Sequence, residues 1–173
     1  DAVFAASDVR KAATANIDAF KGFPRGPLGL VTPASLDWFG PADKVGQDAR
    51  FAWPAALPVV AIAYCYAGMD ASAVELALAH GARGIVLAGL GQGNAPGVVL
   101  DALQAAAARG VAVVRASRVD DGSVDRNVEV DDDARGFVAA RRLNPQKARI
   151  LLQLLIANGI RDSDTMQAAF DRR

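Results

Sequence analysis

The sequence predicts an α/β fold: an open parallel sheet of about four strands flanked by helices, with an irregular N-terminal arm. Three observations predict it. Short apolar runs near residues 59, 84 and 111 have the length and composition of strands buried on both faces. Segments with apolar residues at helical spacing lie between them and end in glycine. Six of the eight prolines, at 24, 27, 33, 41, 54 and 58, fall in the first third of the chain, where they disfavour long helices and central strands.

The arm and linker therefore occupy residues 1–57 and the α/β domain residues 58–173. Val3 to Val9 suits an edge strand or hairpin arm, Ala15 to Phe20 a helical turn or two, and the remainder of the arm is extended. In the second part the first strand is Val59-Val60-Ala61-Ile62-Ala63-Tyr64, followed by a helix over Ala71–His80 with Asp70 as N-cap and Gly81 as stop. Gly84 to Ala88 is the second strand. The next helix, about Ala95 to Arg109, puts Val99, Leu103, Ala106 and Ala107 on one face and meets Gly110. Val111 to Val114 is the third strand and Gly136 to Ala139 the fourth.

Asn144 caps a strong helix with Pro145 at its first position, where the missing donor costs nothing. Ala148, Leu151, Leu152 and Leu155 form its apolar stripe, and Asn158-Gly159 ends it. A last helix over Ser163–Phe170 brings Met166, Ala169 and Phe170 to one side. Strands alternating with helices imply right-handed crossovers, a parallel sheet and a Rossmann-like three-layer domain.

Composition narrows the function. The 173 residues are 52% hydrophobic and 22% charged, enough for a sizeable core. Lys plus Arg and Asp plus Glu each total 19, so charge gives no reason to expect nucleic acid or an anionic membrane as partner. No apolar run is long enough to span a bilayer, and the start, DAVFAASDVRK, does not read as a signal peptide. The single cysteine, Cys65, excludes an internal disulfide, and its place after a buried strand suits a packed small residue. The single histidine, His80, falls at a helix end, with no second histidine to build a zinc or Cys/His centre.

Ligands of open parallel sheets bind beyond the carboxyl ends of the strands. There the loop Gly89-Leu90-Gly91-Gln92-Gly93-Asn94 reads in two ways. It is a permissive strand-to-helix turn in which Asn94 is an N-cap, or a turn whose glycines let the backbone approach a ligand. It departs from the dinucleotide fingerprint, because its third glycine is displaced and no acid ends the following strand. The acidic segment Asp120–Asp133 lacks the order of a calcium loop and reads as a solvated loop neutralised in part by Arg126, Arg135, Arg141 and Arg142. No residue offers itself as a convincing nucleophile, and no Gly-x-Ser-x-Gly elbow or P-loop is present.

Several segments in order carry a family resemblance. They are Asp8-Val9-Arg10-Lys11 with Asp18-Ala19-Phe20-Lys21, Gly26-Pro27-Leu28-Gly29, Tyr64-Cys65-Tyr66-Ala67, the stretch from Gly81 to Asn94, Val113 to Val119, and Asn127 to Leu154. Together they resemble bacterial type II L-asparaginases over almost the whole chain. The resemblance implies hydrolysis of L-asparagine to L-aspartate and ammonia, with weaker activity on glutamine, and no cofactor or metal.

It implies that the nucleophilic threonine and its partners lie in an N-terminal domain whose motifs this chain lacks, so that this chain holds no catalytic residue. It implies a tetramer in which a neighbouring subunit's N-terminal domain completes each site, and a periplasmic location, with a cytoplasmic one left open. The substrate-binding residues it implies are Asn94 and Glu129. A carboxylate at Glu129 suits an α-ammonium through a charge-assisted hydrogen bond, and the amide of Asn94 can donate or accept. Gln92 departs from the asparagine common at its position, and Arg141-Arg142 from smaller residues. The alternative is a non-catalytic α/β module for interaction or oligomerisation, in which the shared motifs serve packing alone.

Overall fold

The structure, a computed structural model, describes residues 1–40 and 51–172. The chain divides into two compact units, Asp1–Arg50 and Phe51–Arg173. The part of the arm around Pro41 lies outside the described residues.

The first unit is built from short antiparallel pairs. Strands β1 (Ala2–Val3), β4 (Gly29–Val31) and β5 (Leu36–Trp38) form one sheet in the order β1-β4-β5. Strands β2 (Val9–Lys11) and β3 (Phe20–Gly22) form a second. Two expectations for the arm are corrected here. Val3 to Val9 is not one strand: a turn in which Asp8 and Val9 both donate to Ala5 O separates β1 from β2. Ala15 to Phe20 makes no helical turn, because Ala15–Ala19 belongs to the loop of the β2–β3 hairpin and Phe20 begins β3. Val9 pairs with Gly22 and Lys11 with Phe20, and Ala12 N donates to Ala19 O at 2.7 Å. The antiparallel ladder takes the backbone groups a helix would need.

The second unit is the α/β domain. Strands β6 (Val60–Tyr64), β7 (Gly84–Gly89), β8 (Ala112–Ser117) and β9 (Phe137–Ala139) form one parallel sheet in sequential order. Alternation along the strands sorts the side chains into two cores. Ile85, Leu87 and Val113 pack with Val74 of α1 (Ser72–Ala79) and with Val99 and Leu103 of α2 (Gly97–Ala107). Val86, Val114 and Val138 pack on the other face with Leu152 and Leu155 of α4 (Pro145–Ala157) and Met166 and Phe170 of α5 (Ser163–Asp171). The short helix α3 (Asp132–Arg135) precedes β9. Helices therefore cover both faces, as a fully buried parallel sheet requires.

Local chemistry fixes the ends. Asn144 accepts from Lys147 N at 3.0 Å and caps α4, with Pro145 at the first position. Gly159, at φ 81, follows the C-cap Asn158. At the sheet edge, Gln167 accepts from Ala139 N (2.8 Å) and donates to Ala139 O (3.1 Å), so its amide saturates β9 as another strand would. Gly84 lets α4 lie close, since a Cβ there would stand 2.8 Å from Leu152 Cδ2.

Several boundaries differ from expectation; β8, expected over Val111–Val114, spans Ala112–Ser117. Asp70 sits one residue before the N-cap position and accepts from Ser72 N at 2.9 Å. Helix α2 begins at Gly97, because Pro96 is extended (φ −53, ψ 144) and proline disfavours helix at the residue before it. Gly136 is not part of β9: at φ 70 it is the left-handed C-cap of α3.

The stripe assignment for α4 has a direct test. Truncating Leu152, fully buried, to alanine should cost about 3 kcal/mol, whereas Ile150→Ala, at 48% exposure, should stay within about 0.5 kcal/mol. Denaturant melts of both variants check this; equal losses would contradict the packing.

Candidate functional site

A parallel sheet puts the ends of all its strands on one edge, so the loops after β6, β7 and β8 converge there. Backbone bonds knit their starts: Cys65 N donates to Ala88 O (3.0 Å) and Arg118 N to Gly89 O (2.9 Å). Arg118 Nη1 also donates to Cys65 O at 2.9 Å. Cys65 itself is fully buried. Burial pushes its thiol up, opposed in part by the Arg118 guanidinium. His80 closes α1, its Nδ1 2.8 Å from Leu76 O. No group of three or more His, Cys, Asp or Glu is gathered to hold a metal among the described residues.

The glycine-rich turn after β7 folds back on itself. Leu90 and Asn94 exchange both backbone bonds at 2.8 Å. This brings Gly89 against Gly93 so closely that a Cβ on Gly89 would stand 2.4 Å from the Gly93 carbonyl carbon. Gly93, at φ +82, has Arg115 Nη1 3.2 Å from where its Cβ would be. The glycines thus serve close approach and left-handed backbone.

Asn94 is half-buried and is not the N-cap of α2, which begins three residues later. Its Oδ1 accepts from Ala95 N at 2.8 Å. A backbone N–H can only donate, so this bond orients the amide and leaves Nδ2 as the free end.

The segment from Asp120 to Asp133, expected as a solvated acidic loop, is corrected near its C-terminal end. Asp132 is fully buried and so is Arg115 on β8. Arg115 Nε and Nη2 each lie 2.5 Å from one oxygen of the Asp132 carboxylate, a bidentate pair. Arg115 Nη1 donates to Gln92 O at 2.7 Å and Nη2 to Asp125 O at 3.2 Å. Asp132 Oδ2 also accepts from Asn127 N at 2.8 Å, and Gln92 Oε1 from Asp125 N at 3.1 Å. One guanidinium therefore ties the turn carrying Asn94 to the loop carrying Glu129. Sequence reading missed Arg115, Asp132 and Gln92. The available signal was a lone arginine after Val113-Val114, since a charge inside an apolar strand needs a buried partner.

Of the other arginines assigned to the acidic loop, Arg126 pairs with Asp133 (2.6 Å) and Asp164 (2.8 Å), and Arg141 with Asp125 (2.8 Å) and Asp171 (3.3 Å). Arg135 instead reaches Asp101 of α2 at 2.9 Å. Glu129 is exposed between exposed Val128 and buried Val130. Its φ is 63, and Asn127 has φ 59. Left-handed backbone suits asparagine but costs a glutamate roughly 1–2 kcal/mol. The loop is clamped on both sides. Asp131 caps α3 by accepting from Ala134 N (3.0 Å), and the Asn127 side chain bonds Asp133 twice, its Nδ2 donating to Asp133 Oδ2 (2.8 Å) and its Oδ1 accepting from the Asp133 backbone N (3.2 Å). The Glu129 carboxylate bonds to no described residue of its unit.

The clamp carries a pH signature. The Asn127 amide, aided by the Arg126 guanidinium, holds the Asp133 carboxyl below its ordinary value. A lowered folded value means that the stabilisation is complete above the unfolded value and is lost as pH falls through the folded one. The Asn127 side-chain resonances should therefore titrate below the ordinary aspartate value. A transition at or above that value would contradict the clamp.

The chain is similar to known proteins over almost its whole length. The family model described as Glutaminase/Asparaginase C-terminal domain matches residues 59–170. L-asparaginase 2 of Escherichia coli (strain K12) is 40% identical over 175 residues, covering 99% of this chain and 50% of its own length. A protein of Haemophilus influenzae whose name contains "L-asparaginase periplasmic" is 38% identical, covering 98% of this chain and 49% of its own. The glutaminase-asparaginase of Pseudomonas fluorescens biotype A is 38% identical, with coverages of 98% and 48%. The chain thus spans about half the length of the curated relatives it matches. It belongs to the glutaminase/asparaginase C-terminal domain family.

Proposed function

We propose that this chain supplies the substrate-gripping half of an amidohydrolase that converts L-asparagine to L-aspartate and ammonia, with some action on glutamine. In this reading Glu129 accepts from the ligand's α-ammonium, and Asn94 donates from Nδ2 to a ligand oxygen. Residues 1–57 act as arm and linker and 58–173 as the α/β domain. The nucleophile comes from an N-terminal asparaginase domain of a neighbouring subunit in a homo-oligomer, a tetramer in the family pattern. The Haemophilus relative's name supports a periplasmic location.

The observation that carries the reading is the state of Glu129. Its carboxylate is exposed and without a partner among the described residues of its unit, on left-handed backbone that two clamps enforce, at the sheet edge where such folds bind ligands. A glutamate kept there at a cost in backbone strain fits a charged ligand better than a solvated surface.

Kinetics of the full-length enzyme test it. Loss of one charge-assisted hydrogen bond should make Glu129→Ala raise KM for L-asparagine about ten- to a hundredfold with kcat within about threefold. Asn94→Ala should raise KM less, about three- to tenfold, since it removes a neutral donor. An unchanged KM for Glu129→Ala would sink the assignment.

A further inference from the structure

We propose that Arg115 is a positioning residue: its buried guanidinium sets Asn94 and Glu129 in one geometry, so that it governs ligand affinity without touching ligand. The inference rests on the substrate-gripping reading above.

The argument starts from what the arginine holds. It lies in the middle of the buried sheet, fully inaccessible, and its donors go to three places in the chain. Gln92 O is two residues before Asn94. Asp125 O and the Asp132 carboxylate stand on either side of Glu129, and Asp132 passes the constraint on to Asn127 N. The Gln92 side chain adds a second tie to Asp125 N. Both gripping residues therefore take their backbone positions from the same planar group.

Stability is a weak reason for such a pair. Removing two charges from water is costly, and a well-packed apolar pair of similar volume often holds a fold as well or better. What an apolar pair cannot do is fix two carbonyls and a carboxylate at set directions. A lysine cannot either, because its ammonium is a point charge without the rigid fork. The geometry of the guanidinium is thus what the fold uses.

The test compares variants in the full-length enzyme, with KM, kcat and melting temperature read together. Arg115→Lys should stay folded and raise KM for L-asparagine about tenfold with kcat within about threefold. The double variant Arg115→Met, Asp132→Leu should melt close to the unmodified protein yet raise KM towards that of Glu129→Ala. Hydrogen exchange at the Asn127 amide, which loses its Asp132 acceptor, should quicken in the double variant.

If the double variant keeps both its melting temperature and its KM while Glu129→Ala raises KM, the positioning role is overturned and the gripping reading stands. If Glu129→Ala also leaves KM unchanged, both fall. Should the Arg115 variants fail to fold, Asp132→Asn decides. It keeps the shape of the side chain but weakens the bidentate bond that fixes the guanidinium, and should raise KM about two- to fivefold; an unchanged KM would overturn the proposal.

Discussion

The fully buried Arg115–Asp132 pair is the interaction on which the edge of the sheet depends. It joins two of the loops that leave that edge, the turn after β7 and the long loop after β8. The guanidinium reaches across the strands to Gln92, Asp125 and Asp132, and through Asp132 to Asn127. Its burial makes the arrangement all-or-none: taking away one partner leaves an uncompensated charge, at a cost of about 3–5 kcal/mol. The glycines of the turn follow from the same constraint. Gly93 passes directly over the guanidinium, and Gly89 must fit against Gly93.

The rest of the domain gives that pair a rigid frame. Strands buried on both faces divide their side chains between two cores, and α4 lies close because Gly84 leaves room for Leu152. At the sheet edge Gln167 satisfies both backbone groups of Ala139 in the buried strand β9. On this frame Glu129 stands out as a residue held in an unfavourable backbone state, and a strained residue is tolerated only where its surroundings over-determine it. Asn127, Asp131, Val130 and Asp133 together provide that surplus.

How much of this was legible in the sequence follows from the range of each interaction. The four strands and the α2, α4 and α5 stripes were legible, since alternation and helical spacing are local. The cap of α4 was equally plain, because Asn144 and Pro145 act within one turn. Asn94 and Glu129 came from motif resemblance, and nothing in their neighbours' chemistry alone marked them. The Arg115 pair was hidden because its partner is 17 residues away and sits in a run of acids that reads as solvated. The apolar run ends at Val114, but β8 continues through the buried Arg115 to Ser117. The hairpin loop at Ala15–Ala19 misled for a similar reason: only pairing with β2 shows that its backbone bonds are already used.

The account's central claim is that Glu129 and Asn94 grip an amino-acid ligand from a geometry fixed before it arrives. A crystal structure of the full-length protein with L-aspartate bound tests this most directly. The account predicts the ligand's α-ammonium about 2.8 Å from the Glu129 carboxylate, the Asn94 Nδ2 within hydrogen-bond reach, and Glu129 still at positive φ. A ligand bound with its ammonium on other groups, or a Glu129 that takes up its left-handed backbone only on binding, would contradict it.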